Sequence, residues 1–177
     1  MESIDVIIRD ELKYIFSNVN EWLKFAELKH GALLALNIAL ISATSDLVNN
    51  VNVLPFSSKI WSWQLTFFVI SCLLSIWSFM PTISLKTVKH NVKSEKNIYF
   101  YDDIKNLSLD DYSNLLVQKF SLQTTYEFTA QEKDLMSEII VNSQITCRKY
   151  ALFNAAGIFC IFGLVVFVIV LIAYLFV

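Results

Sequence analysis

Few side chains in this sequence are of the kinds that do chemistry, and their spacing points to recognition rather than reaction. Only two histidines are present, His30 and His90, which leaves little for acid–base catalysis. A lone histidine beside an apolar segment, as His30 is, reads as an interface residue rather than a ligand. No nucleophile elbow, zinc-protease, P-loop or dinucleotide fingerprint occurs. Cys72, Cys147 and Cys160 are scattered, without CxxC or Cys/His spacing. They read as small buried hydrophobes. The expectation is therefore no catalytic residue, no metal site, no cofactor and no enzyme activity. The densest polar and aromatic group is Asn97-Ile98-Tyr99-Phe100-Tyr101-Asp102-Asp103. Its aromatic run has faces on which a base can stack. Next to a membrane, aromatics also serve as packing or interface anchors. The adjacent pair Asp102 and Asp103 reads as a solvated helix start. Lys86, Lys89, Lys93 and Lys96 follow one another closely. Their plainer role is topology and headgroup contact, with phosphate binding as the sharper one.

The elements that must position these groups are helices, and several are built for lipid. Residues 151–177 carry no charge over a length that exceeds the ~20 apolar residues a bilayer core requires. In lipid the backbone of such a run is satisfied only as a helix. Arg148, Lys149 and Tyr150 precede it as a basic and aromatic collar. With 177 residues, 55% of them hydrophobic, one small soluble domain could not bury its apolar surface. A formal net charge of −2 gives no basic field for nucleic acid.

In chain order, residues 1–30 read as a cytoplasmic amphipathic helix with Ile4, Ile8, Leu12, Ile15, Val19 and Trp22 on one face. That helix has more acidic than basic residues, so packing on the later soluble helix or on another subunit is favoured over an anionic leaflet. Residues 31–48 form a first span, with Asn37 costly in lipid unless it meets another helix. Residues 49–60 form an extracytoplasmic turn, and 61–80 a second span flanked by Trp61, Trp63 and Trp77 and stopped by Pro81. Residues 81–150 form a helical cytoplasmic segment, and 151–177 the third span. From about Thr129 no Gly or Pro interrupts the chain before Gly157, which predicts one helix running into the last span. Most of the positive charge lies between the second and third spans, so that segment and the N-terminus are placed in the cytoplasm. The fold class expected is an all-α membrane protein with about three transmembrane helices and a helical cytoplasmic segment continuous with the last one.

Four motifs, in order around these spans, resemble the Pycsar effector domain family of bacterial anti-phage defence. Ala26-Glu27-Leu28-Lys29-His30-Gly31-Ala32-Leu33-Leu34 looks like its opening motif, roughly Ala-Asp-x-Lys-Ala-x-x-Leu-Leu, and Asn37 sits where an asparagine follows. Pro81 matches the proline after the second span, and Asn97 to Tyr101 resembles an Asn-x-x-Phe-Phe stretch. Glu138, Ile139, Ser143, Ile145, Lys149, Tyr150 and Ala155 resemble the motif that enters the final span. Glu27 stands where aspartate is usual, His30 where a small residue is usual, and Glu138 where glutamine is usual. The resemblance covers roughly Phe25 to Val177.

The resemblance implies an effector in the bacterial inner membrane, paired with a pyrimidine cyclase. A cyclic pyrimidine nucleotide, cyclic CMP or cyclic UMP, would activate it to impair the membrane and cause abortive infection. An anion with a flat base needs donors for its phosphate and a face for its base. On that reading the candidate ligand-binding residues are Lys29, Asn97, Tyr99, Phe100, Asp102 and Lys149. A homo-oligomer is expected, since three spans are few for a pore built by one subunit. The alternative is a membrane-anchored helical scaffold that docks a protein partner.

Overall fold

A computed structural model describes residues 4–50, 55–81, 96–122 and 126–175. The chain is an all-α membrane protein. Its helices are α1 (Ile4–Asn50), α2 (Pro55–Ser78), α3 (Tyr101–Ile104), α4 (Leu109–Lys119) and α5 (Ala130–Leu175). Three of them, α1, α2 and α5, are long and apolar enough to cross a bilayer. The expected continuity of the last helix is present: α5 runs unbroken from Ala130 through the apolar C-terminal stretch. The stretch read as a turn before the second span is shorter in the structure. Helix α1 continues to Asn50, and α2 begins at Pro55. Nothing from Ser45 to Asn50 breaks a helix, and proline is favoured in a first helical turn, where its missing N–H is no loss. Beyond Ser78 the N–H groups of Phe79 and Met80 reach back only three residues, to Ile76 and Trp77, and Pro81 follows. The lysines at 86, 89 and 93 lie outside the described residues.

The chain divides into two compact units. The first comprises Met1–Phe25 and Pro81–Lys149, the second Ala26–Met80 and Tyr150–Val177. In the first unit the amphipathic start of α1 supplies Ile8, Leu12, Ile15 and Val19, all buried. They join Ile98, Ile104, Leu107, Tyr112, Leu115, Leu116, Phe128, Met136, Ile139 and Ile140 in one core. The apolar face of the N-terminal helix is thus covered by the later helices of its own unit. Local signals set the starts of those helices. Ser108 caps α4 in a reciprocal box with Asp111, its hydroxyl accepting from the Asp111 N–H at 3.1 Å. Thr129 and Glu132 do the same before α5: the Thr129 N–H donates to Glu132 Oε2 at 2.8 Å.

The second unit has the opposite polarity. Large apolar side chains face outward, among them Leu36, Ile38, Trp63, Leu73, Trp77, Ile161, Phe162 and Ile169. His30, Asn37, Thr44, Gln64, Ser71, Ser75 and Ser78 are buried inside it. An apolar exterior around polar contacts between helices suits a lipid surround, where polar groups bond across helix interfaces. His30 packs edge-on between Phe79 and Phe153, at 6.1 and 5.6 Å between ring centroids.

Candidate functional site

The first unit gathers most of the candidate groups around the turn from Asn97 into α3. Asn97 shapes that turn. Its Oδ1 accepts from the Tyr99 N–H at 2.9 Å, and its own N–H donates to Asp103 Oδ2 at 3.1 Å. Tyr99 fastens the turn to α1. Its hydroxyl donates to Glu11 at 2.6 Å, its carbonyl accepts from Asn18 Nδ2 at 3.1 Å, and its ring meets Tyr14 edge-on. The bond to Glu11, with burial and the carboxylate's charge behind it, pushes the Tyr99 hydroxyl up to about 12. Tyr112, buried in the core, holds the same turn by donating to the Ile98 carbonyl at 3.2 Å. Burial and the nearby Tyr99 raise its own titration further still.

Phe100 differs from Tyr99. Its side chain is exposed, and its ring lies 4.8 Å from that of Tyr101, which in turn lies 5.7 Å from Trp22. Trp22, Tyr101 and Phe100 therefore form a partly exposed aromatic group, the kind of surface on which a flat base can stack. The indole comes from α1, far away in sequence, which is why the Asn97–Tyr101 stretch alone did not point to it.

Asp102 sits beside this group and is held from two directions. Lys105 Nζ pairs with its Oδ1, and Cys147 Sγ on α5 approaches the same oxygen at 3.2 Å. The Lys105 bond, then the Cys147 bond, keep the Asp102 carboxyl below its ordinary range, and Lys105 is raised in return. Burial, reinforced by the bond to Asp102, pushes the Cys147 thiol up to about 12. Cys147 is therefore protonated at neutral pH and acts as a hydrogen-bond donor rather than a nucleophile. Gln144 adds a bond to the Lys105 carbonyl at 3.0 Å, so α5 supports the whole turn.

Asn97, Tyr99, Phe100 and Asp102 are thus brought together within one turn and its supports. Lys149 belongs to the same unit and is buried, but it lies two residues past Cys147, roughly 200° round α5 from it. Lys29 belongs to the second unit, where its ammonium lies over the rings of Tyr150 and Phe153 at 5.1 and 5.5 Å. Among the described residues no group of three or more His, Cys, Asp or Glu is arranged to hold a metal ion.

The sequence that builds these helices and this turn matches a known family. Residues 11–176 match the Pycsar effector protein domain. The chain belongs to that family. It is similar to the Pycsar effector protein RsPycTM of a Rhizobium species, at 27% identity over 142 residues, covering 79% of this chain and 81% of the relative. No solved structure matches. The Asn97–Asp102 turn and its Lys105 and Cys147 partners bring aromatic faces and polar groups together in one place. The i,i+3 spacing of Asp102 and Lys105 was there to be read in the sequence, whereas Cys147 meets Asp102 only through the tertiary fold.

Proposed function

We propose that this protein is a membrane effector of bacterial anti-phage defence, switched on by a cyclic pyrimidine nucleotide and acting by impairing the inner membrane of the infected cell. Membership of the Pycsar effector family over nearly the whole chain carries this reading. Three helices fit to span a bilayer and an aromatic, hydrogen-bonded turn in the first unit support it. The first unit faces the cytoplasm, where a cyclase product is made, because most positive charge lies between the second and third spans. Within it the exposed Phe100 ring takes the base, and polar groups of the turn, with Asn97, Tyr99, Asp102 and Lys149 as candidates, fix its orientation. Lys29, in the second unit over the Tyr150 and Phe153 rings, is a separate candidate. The acting species is a homo-oligomer, and the signal comes from a partner pyrimidine cyclase. Binding shifts the protein only if these groups contact the nucleotide differently in two states.

The test is the permeability of liposomes that carry the purified protein, read both as loss of a potassium gradient and as release of a trapped dye, with cyclic CMP, cyclic UMP, cyclic AMP and cyclic GMP added separately. Leakage by either reading with one pyrimidine nucleotide is the expected result. Silence with all four, from protein shown to be folded and inserted, overturns this reading.

A further inference from the structure

The buried polar side chains of the second unit form a column. On α1, His30, Asn37 and Thr44 recur every seven residues, all fully buried. On α2, Gln64, Ser71, Ser75 and Ser78 recur on the inward face, and all are buried. From Gln64 to Ser78 a helix rises about 21 Å, much of the ~30 Å hydrocarbon core. The column is cross-linked. Asn37 Nδ2 donates to Ser71 Oγ at 2.8 Å, and the Ser71 hydroxyl donates to the Ala156 carbonyl of α5 at 2.8 Å. Gln64 Nε2 donates to Thr44 Oγ1 at 2.8 Å, and that hydroxyl donates to the Leu40 carbonyl at 2.7 Å.

These bonds dictate what is left over. The Ser71 and Thr44 hydroxyl protons are committed to carbonyls, so their oxygens accept, and each amide must present its NH2 group. Asn37 Oδ1 and Gln64 Oε1 are consequently buried with no hydrogen-bond partner among the described residues, and Ser75 Oγ is likewise unpartnered. A buried polar atom left without a partner is costly, because it has lost water and gained nothing in exchange. Contact between helices accounts for the bonded amide and hydroxyl groups, but not for these three acceptors left without a partner. Two amide oxygens and a hydroxyl, one above another along a span, are instead the dipoles that line paths for water and small cations.

One residue interrupts the column. Phe68 is fully buried on the same face of α2, between Gln64 and Ser71. Its ring presses on α5 at Gly163, where an added Cβ would lie 2.6 Å from Phe68 Cε1. A ring seated against bare backbone between two polar tiers is a hydrophobic constriction, and such constrictions close aqueous paths by dewetting.

We propose that this column is a latent single-file path for small monovalent cations through the second unit of each subunit, rather than a wide pore shared between subunits, closed by Phe68 seated on Gly163. The proposal rests on the membrane-effector reading and gives it a mechanism. In the closed form, Asn37, Thr44, Gln64 and Ser71 bond one another and backbone carbonyls. Opening moves the Phe68 ring aside, and the same groups bond water and ions.

The test is ionic current across planar bilayers that hold the full chain under a potassium chloride gradient. Phe68→Ala conducts without any nucleotide, well above the wild-type baseline. Adding Gln64→Glu or Asn37→Asp to it shifts the reversal potential toward that of potassium. A role in helix packing alone would leave ion selectivity unmoved. Should Phe68→Ala fail to insert, Gln64→Glu alone is read the same way on the nucleotide-triggered current. Inserted Phe68→Ala that stays silent overturns the gate. A current whose reversal potential ignores both acidic substitutions overturns the path, while the effector reading stands. A cation-selective Phe68→Ala leak beside a wild type silent to every nucleotide supports the path and overturns the nucleotide-triggered reading above.

Discussion

Tyr99 and Phe100 are neighbours in one aromatic run, yet the fold gives them different work. The Tyr99 hydroxyl is committed to Glu11 and its carbonyl to Asn18, so its first task is to hold the turn on α1. Tyr99→Phe is expected to lower stability by about 1 kcal/mol, the net worth of one hydrogen bond, read as a lower thermal midpoint in detergent. The pH dependence follows from the direction of the shift. A hydroxyl raised from 10.0 to about 12 in the folded state gives a contribution fully present below pH 10, lost as pH rises toward 12. The wild type should lose stability across that window more steeply than Tyr99→Phe does. Phe100 is exposed and makes no polar bond, so Phe100→Ala should leave the thermal midpoint nearly unchanged while weakening nucleotide binding. Stacking is worth about 1–3 kcal/mol per base, so titration calorimetry should show a loss of about fivefold to a hundredfold. Equal affinities for wild type and Phe100→Ala would move the base elsewhere. The sequence marked both residues as candidates and had no means of separating them, because burial and the Glu11 partner depend on α1.

At the scale of elements, the signals written locally are the legible ones. Ile8, Leu12, Ile15 and Val19 follow a helical period, and all four are buried in the core of the first unit. Trp22 continues that period but stays partly exposed, outside the core and with the Tyr101 ring packed beside it. The capping boxes at Ser108 and Thr129 are likewise local, each closing within four residues. Ser108→Ala should therefore cost about 1 kcal/mol by loss of the cap on α4. The other end of α4 offers a gain. Ser121 has φ 51, in the left-handed region, and the following Leu122 N–H closes the turn on the Val117 carbonyl at 3.0 Å. An L-residue with a Cβ is strained there by about 1 kcal/mol. Ser121→Gly is expected to raise the thermal midpoint, and a fall would mean that the serine side chain contributes more than the strain costs.

For the molecule as a whole, charge and hydropathy predict orientation as well as insertion. With the first unit in the cytoplasm, and with Cys72, Cys147 and Cys160 replaced by alanine, a Lys59→Cys variant should be labelled from the periplasm by a membrane-impermeant maleimide in intact cells. A cysteine at Glu127 should be labelled only after lysis. The reverse pattern would invert the topology. The three spans were legible because a long apolar run in lipid has one way to satisfy its backbone, and length alone tests it. Helix continuity through α5 was legible because nothing in the chain breaks it. The residue order also carried the family motifs. What lay beyond the sequence is everything that joins residues distant along the chain. Cys147 reaches Asp102 across 45 positions, and Trp22 joins an aromatic group encoded far later in the chain. Asn37 was visible as a polar residue in a span, but Gln64, Ser71 and Ser75 look like ordinary members of an apolar segment until packing turns them to one face. Periodicity says which side of a helix a residue is on. Only the packed structure says what that side meets, and burial and hydrogen-bond partners follow from what it meets.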